Sequence, residues 1–438
     1  MQAIRDIVAA NRRGEPKGIY SICSAHPLVI EAAIEQAMAD GTPVLIEATA
    51  NQVNQFGGYT GMKPADFVAF VARIAASKNF PMNRVMLGGD HLGPVCWQAE
   101  GADAAMAKSE ALIAAYVAAG FKKIHLDCSM PCAGDEVPLS DAVIANRAAR
   151  LCAVAESTAK SKFGDSDIVY IIGTEVPPPG GADEEITTIE VTPPDRARLT
   201  LEAHKKAFEA AGLPSVWTRV VGLVVQPGVE FDHTAVIDYV PEAATALKGL
   251  IDTVDNVVFE AHSTDYQAPE SYKALVRDHF AILKVGPQLT FALREALFAL
   301  SYIEDAIIPA GTRSNLRDVC EAAMLREPKN WQRFYEGTPE RQALYRRYSY
   351  SDRIRYYWPQ SDVAEAVEKL FTNLDATTIP LPLISQFMPL EYGEVRAGRL
   401  ELKAKELVKA KIRQVTATYA EACGLEHAWP ERKTPVYD

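Results

Sequence analysis

The stretch Val85–Pro94, VMLGGDHLGP, contains a short apolar run, two glycines, and then an aspartate beside a histidine. It predicts a buried β-strand that breaks at the glycines and presents Asp90 and His91 at its end. Eight runs of this kind occur along the chain, each rich in apolar and β-branched residues. They are GIYSIC (18–23), PVLIEAT (43–49), RVMLGGD (84–90), KIHLDCS (123–129), IVYIIGTEV (168–176), RVVGLVVQ (219–226), VVFEAHS (257–263) and FAILKVG (280–286).

Apolar strands that alternate with helices indicate a parallel sheet with both faces covered. The helical segments include residues 26–40, 64–77, 101–119, 140–160 and 194–211. Eight such units over about 270 residues fit a (β/α)8 barrel better than an open doubly wound sheet. No Gly-x-Gly-x-x-Gly follows the first strand and no Gly-x-x-x-x-Gly-Lys-Ser/Thr occurs, which disfavours a dinucleotide fold and a P-loop kinase. We therefore predict an α/β fold with a TIM barrel over residues 1–310.

The pattern changes after about residue 310. Residues 313–358 hold nine arginines and nine aromatic residues, as in RRYSYSDRIRYYW, and the Pro-punctuated connection DATTIPLPLISQFMP follows. A last helix, rich in Lys, Glu and Ala, is predicted over residues 393–423. We interpret residues 311–438 as a C-terminal helical extension whose Arg and Tyr side chains pack on the barrel or on a partner subunit. Contact with a substrate phosphate is the alternative for these arginines.

Composition narrows the class of protein. The 438 residues are 48% hydrophobic and carry a formal net charge of -12, which disfavours binding to nucleic acid or to an anionic membrane. The seven cysteines include no Cys-x-x-Cys pair, so we expect free thiols in a reducing compartment. The N-terminal segment, MQAIRDIVAANRRGEPKG, predicts an amphipathic helix, and the longest nearly apolar run, 111–121, is too short to cross a bilayer. We expect a cytoplasmic protein that forms a homo-oligomer.

Ionisable side chains gather at the predicted strand ends, where the active site of such a barrel is built. Burial of so many ionisable groups without a bound ion or ligand would cost several kcal/mol each, so the set indicates a functional site. The residues predicted to contact substrate are Ser24, His26, Glu47, Asn51, Gln52, Gln226, Lys284 and Arg353. The amide-rich loop NQVNQFGGYTGM (51–62) is a plausible cover for the site.

Asp90, His91 and His262 together predict a site for a divalent metal ion. Imidazole and carboxylate ligands suit zinc, and manganese or cobalt are the alternatives. His125 lies between Ile124 and Leu126, and we interpret it as a hydrogen-bonded core histidine rather than a ligand.

Six motifs occur in an order that resembles the strand ends of class II fructose- and tagatose-bisphosphate aldolases. The phrases GTEVP, EAHSTDYQ, KVGP and DRIRYYW are closer still to the Z-type subunit of bacterial tagatose-1,6-bisphosphate aldolase, the GatZ and KbaZ group, and the likeness covers nearly the whole chain. The six motifs are GGDHLGP (88–94), IHLDCSMP (124–131), GTEVPPPGGADEE (173–185), VVQPGVEF (224–231), FEAHSTDYQAPESYKAL (259–275) and AILKVGPQLTFALREAL (281–297).

The resemblance implies roles for three of the residues at the strand ends. His91 and His262 are implied to be metal ligands, and Asp90 to be the acid/base that handles the proton of the C4 hydroxyl group. A metal polarises the C2 carbonyl of a ketose and stabilises the enediolate that forms when the bond from C3 to C4 opens. The neighbouring acid takes and then returns the hydroxyl proton.

Other implied residues depart from the aldolase pattern. Glu175 is implied to lie beside the metal, and Glu184 or Glu185 to supply a mobile proton acceptor. Gln226 replaces a third histidine of the aldolases, and because an amide oxygen is a weaker zinc ligand, we expect Glu175 to help complete the metal site. Asp265 stands in the loop that cradles the C1 phosphate in the aldolases, where it would repel a phosphate.

Two functions follow from these patterns. The first is metal-dependent aldol-type chemistry between C3 and C4 of a ketohexose or its 6-phosphate, such as epimerisation of tagatose 6-phosphate to fructose 6-phosphate. The alternative is a non-catalytic subunit that stabilises the Y-type subunit of a class II tagatose-1,6-bisphosphate aldolase. A kinase is disfavoured because no ATP-binding signature is present.

Overall fold

Eight parallel strands close into a barrel in the computed structural model, which describes residues 1–174 and 189–425. The hydrogen-bonded order around the barrel is β1-β10-β9-β6-β5-β4-β3-β2, and the short strands β7 and β8 form a separate antiparallel pair. The predicted (β/α)8 fold is therefore confirmed. The strands are β1 (Ile19–Ile22), β2 (Val44–Thr49), β3 (Val85–Leu92), β4 (Lys123–Leu126), β5 (Val169–Ile172), β6 (Val220–Val224), β7 (Glu230–Phe231), β8 (Val236–Ile237), β9 (Val258–Ala261) and β10 (Ile282–Val285).

Helices surround the barrel and form the C-terminal region. They are α1 (Gln2–Arg12), α2 (Pro27–Asp40), α3 (Pro64–Ser77), α4 (Ala102–Ala119), α5 (Asp141–Phe163), α6 (Pro194–Ala210), α7 (Thr245–Lys248), α8 (Pro269–Arg277), α9 (Pro287–Ile307), α10 (Leu316–Arg326), α11 (Pro339–Tyr348), α12 (Ser361–Asp375), α13 (Leu381–Phe387), α14 (Pro389–Arg396) and α15 (Ala404–Ala422). No helix in the described ranges combines the length and the apolar character that a bilayer span requires.

The strand β3 differs from the prediction, because it runs unbroken through both glycines and continues to Leu92. Gly88 pairs with Glu47 on one side and with Lys123 on the other. A Cβ atom on Gly88 would lie 2.7 Å from Glu47 Oε1. The predicted break is wrong, since this glycine leaves room inside the barrel for the side chains of the neighbouring strands.

The helix α1 lies across the amino-terminal ends of the strands. Its residues Ile4 and Val8 are buried together with barrel residues such as Leu45, Met86 and Val258. This apolar cluster fills the lower half of the barrel. The polar side chains that face the interior are therefore gathered at the opposite, carboxyl end.

The C-terminal region also departs from the prediction of one long helix over 393–423. Helix α14 ends at Arg396, and α15 begins only at Ala404. Gly398 has a φ of 70°, a left-handed conformation that ends helices because glycine adopts it without steric cost. Helix α15 then packs against α2, α8 and α9.

All seven cysteines are free, as predicted from their spacing. Five of them are buried, and the other two are partly buried. They form no disulfide bond.

Candidate active site

A cavity of about 550 Å³ opens at the carboxyl end of the barrel. Most of the residues that the sequence predicted as site residues line this cavity, whereas Glu47 lies fully buried among the barrel strands. The predicted residues in the lining are Ser24, His26, Asn51, Gln52, Asp90, His91, His262 and Lys284. An apolar outer wall adds Met62, Phe70, Trp358, Val367 and Phe371.

Three histidine rings meet at the end of this cavity nearest the strands. The ring centroids of His91 and His262 are 5.0 Å apart, and His125 lies 5.3 Å from each of them. The strands β3, β4 and β9 supply or immediately precede these side chains, although they are far apart in the sequence. All three rings are buried.

Asp90 lies within this cluster. Its Oδ1 is 2.9 Å from His125 Nδ1, and its Oδ2 is 3.0 Å from Lys284 Nζ and 3.6 Å from His91 Nε2. Burial raises the pKa of Asp90, but the nearby histidines His91, His125 and His262 outweigh burial and hold the pKa below its ordinary value. Asp90 is therefore an ionised carboxylate beside a lysine.

Asp127 holds the ring of His91 through Nδ1, whereas Nε2 is the ring nitrogen that faces Asp90. His91 Nδ1 lies 2.8 Å from Asp127 Oδ2, and Asp127 in turn accepts hydrogen bonds from the backbone N–H and the hydroxyl group of Ser129. Burial lowers the pKa of His91, but Asp90 and Asp127 outweigh it and raise the pKa to about 9. The backbone φ of His91 is 50°, an uncommon conformation for this residue type that often marks functional sites.

Below the histidines, buried charges form a chain of ion pairs across the barrel. Lys123 Nζ lies 2.6 Å from Glu47 Oε1 and 2.7 Å from Glu260 Oε2. Lys284 pairs with the other oxygen of Glu47, and His262 Nε2 is 2.9 Å from Glu260 Oε1. Burial raises the pKa of Glu260, yet Lys123 and His262 outweigh it and lower the pKa to about 2. Glu260 is therefore ionised.

The donor atoms of this cluster fit a metal ion. One donor atom from each of Asp90, His125, Glu260 and His262 lies within 4.8 Å of the others. His125 Nε2 is buried, and no hydrogen-bond partner for it occurs within residues 1–174 and 189–425. Such an unpaired imidazole nitrogen beside carboxylates matches the ligands that zinc, manganese and cobalt prefer.

The balance of buried charges in the cluster is also consistent with a bound cation. Within residues 1–174 and 189–425, the buried carboxylates of this cluster are those of Glu47, Asp90, Asp127 and Glu260, and the ammonium groups buried beside them are those of Lys123 and Lys284. Protonated histidines or a bound cation must supply further positive charge, because unbalanced buried charge is costly.

This donor set differs from the predicted one. His125, interpreted as a core residue, belongs to it, because the alternation along β4 turns Lys123 and His125 into the barrel while Ile124 faces the helices. Gln226 Oε1 instead accepts hydrogen bonds from the backbone N–H groups of Gly228 (2.8 Å) and Val229 (3.0 Å). The predicted residues Glu175, Glu184 and Glu185 lie outside the described residues.

Several predicted substrate contacts also hold the rim of the cavity together. Ser24 Oγ accepts a hydrogen bond from the backbone N–H of His26, and His26 Nδ1 accepts one from Leu28 at the start of α2. Burial lowers the pKa of His26 to about 3, so this ring is neutral. Gln52 Nε2 donates to the carbonyl of Cys23 and fixes the loop after β2.

The start of α9 is occupied by a carboxylate of the protein. Asp265 Oδ1 accepts hydrogen bonds from the backbone N–H groups of Gly286 (3.0 Å) and Gln288 (2.8 Å). A helix amino terminus is a place where an external anion can bind. Here the anion is Asp265, which also lines the cavity.

The C-terminal region supplies another part of the cavity wall. Arg353, predicted to contact substrate, is buried with its guanidinium group over the ring of Phe334 and does not line the cavity. Arg355, two residues later, does line it together with Tyr356. The motif DRIRYYW contains both arginines, and only the 3-10 turn Arg353–Tyr356 decides which of them faces the cavity.

The chain is similar to known proteins in both sequence and fold. The family model described as D-tagatose-1,6-bisphosphate aldolase subunit GatZ/KbaZ-like matches residues 4–424. A crystal structure of a probable tagatose 6 phosphate kinase from Sinorhizobium meliloti 1021 is similar at 52% identity and a TM-score of 0.86, over 93% of this chain and 100% of that chain.

More distant similarities involve two aldolases. The YdjI aldolase from Escherichia coli K12 is 12% identical with a TM-score of 0.44, over 85% of this chain and 98% of that chain. The fructose-bisphosphate aldolase from Campylobacter jejuni is 14% identical with a TM-score of 0.42, over 86% of this chain and 94% of that chain.

Proposed function

The chain belongs to the D-tagatose-1,6-bisphosphate aldolase subunit GatZ/KbaZ-like family, and from that premise we propose that it epimerises C4 of a ketohexose 6-phosphate by metal-dependent aldol-type chemistry. The family places the chain in carbohydrate metabolism related to tagatose-bisphosphate aldolases. The proposed reaction converts tagatose 6-phosphate to fructose 6-phosphate. The observation that carries it is the ionised Asp90 beside Lys284 and three histidines at the end of the cavity.

His125, Glu260 and His262 would hold a divalent cation beside Asp90, with His91 adjacent to them. Such a cation supplies Lewis-acid polarisation of a ketose carbonyl group. Zinc fits the imidazole and carboxylate donors, and manganese or cobalt would also fit.

Asp90 is the proposed proton acceptor for the C4 hydroxyl group. When the proton passes to Asp90, the bond from C3 to C4 breaks, its electron pair stays on the C1–C3 fragment, and C4 becomes an aldehyde carbon. Rotation of the aldehyde presents its other face to C3. The bond then forms again, and Asp90 returns the proton to the C4 oxygen, so that atoms and charges balance.

Asp90 is ionised before the first of these steps, because the nearby histidines hold its pKa below the ordinary value, and the carboxylate therefore carries no proton when the substrate binds. Lys284 Nζ, 3.0 Å from Asp90 Oδ2, favours that ionised form by its charge. The apolar outer wall, which includes Trp358 and Phe371, limits the access of water to the cleaved fragments.

The position of Asp265 supports a substrate without a phosphate on C1. Its carboxylate already receives the N–H groups at the start of α9. A 1,6-bisphosphate placed there would meet a like charge instead of open hydrogen-bond donors. A ketohexose 6-phosphate avoids this repulsion.

The test uses the purified full chain, treated with a chelator and then given Zn²⁺, Mn²⁺ or Co²⁺. Tagatose 6-phosphate is followed by NMR for the appearance of fructose 6-phosphate. We expect conversion that stops with the chelator and falls about 10²- to 10⁴-fold in Asp90→Asn, the range for loss of a general acid/base. Asp195→Asn, an exposed change in α6, is the matched control and should retain full activity.

A second candidate function rests on the word "subunit" in the family description. In that case the chain would support a Y-type aldolase subunit without its own turnover. Absence of conversion with all three cations, together with a longer active lifetime of an added Y-type aldolase, would favour this second function. A kinase activity, which is named for the Sinorhizobium protein, is not proposed for this chain, because its sequence has no Gly-x-x-x-x-Gly-Lys-Ser/Thr motif.

A further inference from the structure

Arg355 lines the cavity with its positive charge unpaired by any carboxylate within the described ranges. It is partly exposed to the cavity, and none of the ion pairs in residues 1–174 and 189–425 includes it. The nearest acidic residue in sequence, Asp352, is paired instead with Arg294 at 3.0 Å. The charges of Asp265 and Asp352 act on Arg355 from beyond ion-pair distance. Since no carboxylate of the described residues forms an ion pair with the guanidinium group, an anionic ligand can bind it directly.

The hydrogen bonds of Arg355 leave one edge of its guanidinium group available. Nη1 donates to the carbonyl oxygens of Ser351 and Asp352, and Nη2 donates to the hydroxyl oxygen of Tyr356 at 3.1 Å. Within the described part of the chain, no acceptor pairs with Nε. Nε and the second hydrogen of Nη2 together form a side that can hold two oxygens of a phosphate or carboxylate.

The segment that carries Arg355 is held firmly against the barrel loops. The backbone N–H of Tyr350 donates to the carbonyl of His233 at 3.0 Å, and the hydroxyl group of Tyr266 donates to the carbonyl of Tyr350 at 2.6 Å. The backbone N–H of Arg353 donates to the hydroxyl oxygen of Tyr335 at 3.2 Å. A side chain on so constrained a segment is oriented before a ligand arrives, which lowers the entropy cost of binding.

Aromatic residues complete the surroundings of Arg355. The rings of Tyr59 and Tyr356 meet edge to face at 4.7 Å, and both line the cavity. Burial raises the pKa of Tyr356, but Arg355 and Arg353 outweigh it and lower the pKa. The carboxylates of Asp265 and Glu368 also line the cavity. Oδ1 of Asp265 already accepts the hydrogen bonds from the start of α9.

We propose that Arg355, with Tyr59 and Tyr356 beside it, binds the phosphate monoester of a sugar phosphate. The proposal rests on the proposed function for the identity of the sugar phosphate, and it adds which residues bind the phosphate.

The test measures binding rather than turnover, by isothermal titration of the full chain with fructose 6-phosphate, fructose and inorganic phosphate. The wild type should bind fructose 6-phosphate at least about 10-fold more tightly than fructose, since a charged hydrogen-bonded pair is worth a factor of this size. Arg355→Gln should weaken fructose 6-phosphate binding by about 10- to 100-fold and leave fructose binding unchanged. Arg355→Lys should lie between the two, because it keeps the charge but loses the bidentate edge.

Lys405→Gln is the matched control, because Lys405 is another cation in the lining and pairs with Glu31 at 3.3 Å. Its effect on fructose 6-phosphate should stay below about 5-fold, as for exposed ion pairs. Equal binding of fructose and its 6-phosphate by the wild type would overturn the proposal, as would a larger loss in Lys405→Gln than in Arg355→Gln. If Arg355→Gln does not fold, the fructose 6-phosphate affinities of the wild type and of Arg355→Lys test the proposal. Failure of epimerisation alone would leave these binding results valid.

Discussion

Replacement of Lys123 by methionine removes the only ammonium group that bridges Glu47 and Glu260 in the described part of the barrel. Its Nζ lies 2.6 and 2.7 Å from the two carboxylates, and all three side chains are 0% exposed. Loss of one partner from a buried ion pair destabilises a protein by about 3 to 5 kcal/mol, because the remaining charge stays buried. We expect a decrease of that size in the free energy of unfolding of Lys123→Met.

The contacts that remain after the replacement show that Glu260 is left less well paired than Glu47. Glu47 keeps its pair with Lys284 and the hydroxyl group of Ser21 at 3.2 Å. Glu260 keeps His262 on Oε1, but its Oε2 loses the ammonium group altogether. The second change Glu260→Gln should therefore restore at least about 1 kcal/mol in the Lys123→Met background, since it removes the unpaired charge.

The assay is equilibrium unfolding in denaturant in the presence of a chelator, followed by circular dichroism and by tryptophan fluorescence. Lys122→Met is the matched control, because the adjacent Lys122 pairs with Asp167 at 3.0 Å with both side chains nearly half exposed. That change should cost less than about 1 kcal/mol. A cost for Lys123→Met no larger than that for Lys122→Met would refute the reasoning about the buried charges.

Two further predictions concern stability. Burial raises the pKa of Glu230 from 4.5 to about 7, so the free energy of unfolding of the wild type should fall as pH rises from 4.5 to 7. Relative to the wild type, Glu230→Gln should become more stable by roughly 1 to 3 kcal/mol over this pH range and should show no added stability below it. A difference in stability that does not depend on pH would contradict this. A Cβ atom on Gly93 would lie 1.7 Å from the carbonyl oxygen of Asp127, so Gly93→Ala should lower the free energy of unfolding by about 3 kcal/mol or more. Gly101→Ala, whose Cβ would meet no atom within 4 Å, should cost no more than about 1 kcal/mol, and equal effects of the two changes would argue against the crowding at Gly93.

Much of the site could be predicted because a closed parallel barrel brings all strand ends to one face. Asp90, His91, His262 and Lys284 come from three distant parts of the chain, yet each lies in the last three residues of a strand or directly follows one. Once eight strand–helix units are recognised, these side chains have to converge. The convergence requires no knowledge of the contacts between them.

The pairings inside the barrel could not be predicted in the same way. Glu47 and Lys123 meet over Gly88 because β2, β3 and β4 have a particular register, and a shift by one residue would turn the side chains to the other face. His125 illustrates the limit, because its apolar neighbours indicated a buried residue but not that its ring lies among the donor atoms of Asp90, Glu260 and His262. The choice between Arg353 and Arg355 depends likewise on one turn after α11.

The sequence by itself determined the barrel, the free cysteines and the set of ionisable residues at its carboxyl end, since these follow from the period of apolar residues and from residue type. Only the tertiary structure decided that His125 and Glu260 join Asp90 and His262, that Asp265 occupies the start of α9, and that Arg355 faces the cavity. These facts depend on strand register and backbone dihedral angles, which are set by packing between segments far apart in the chain.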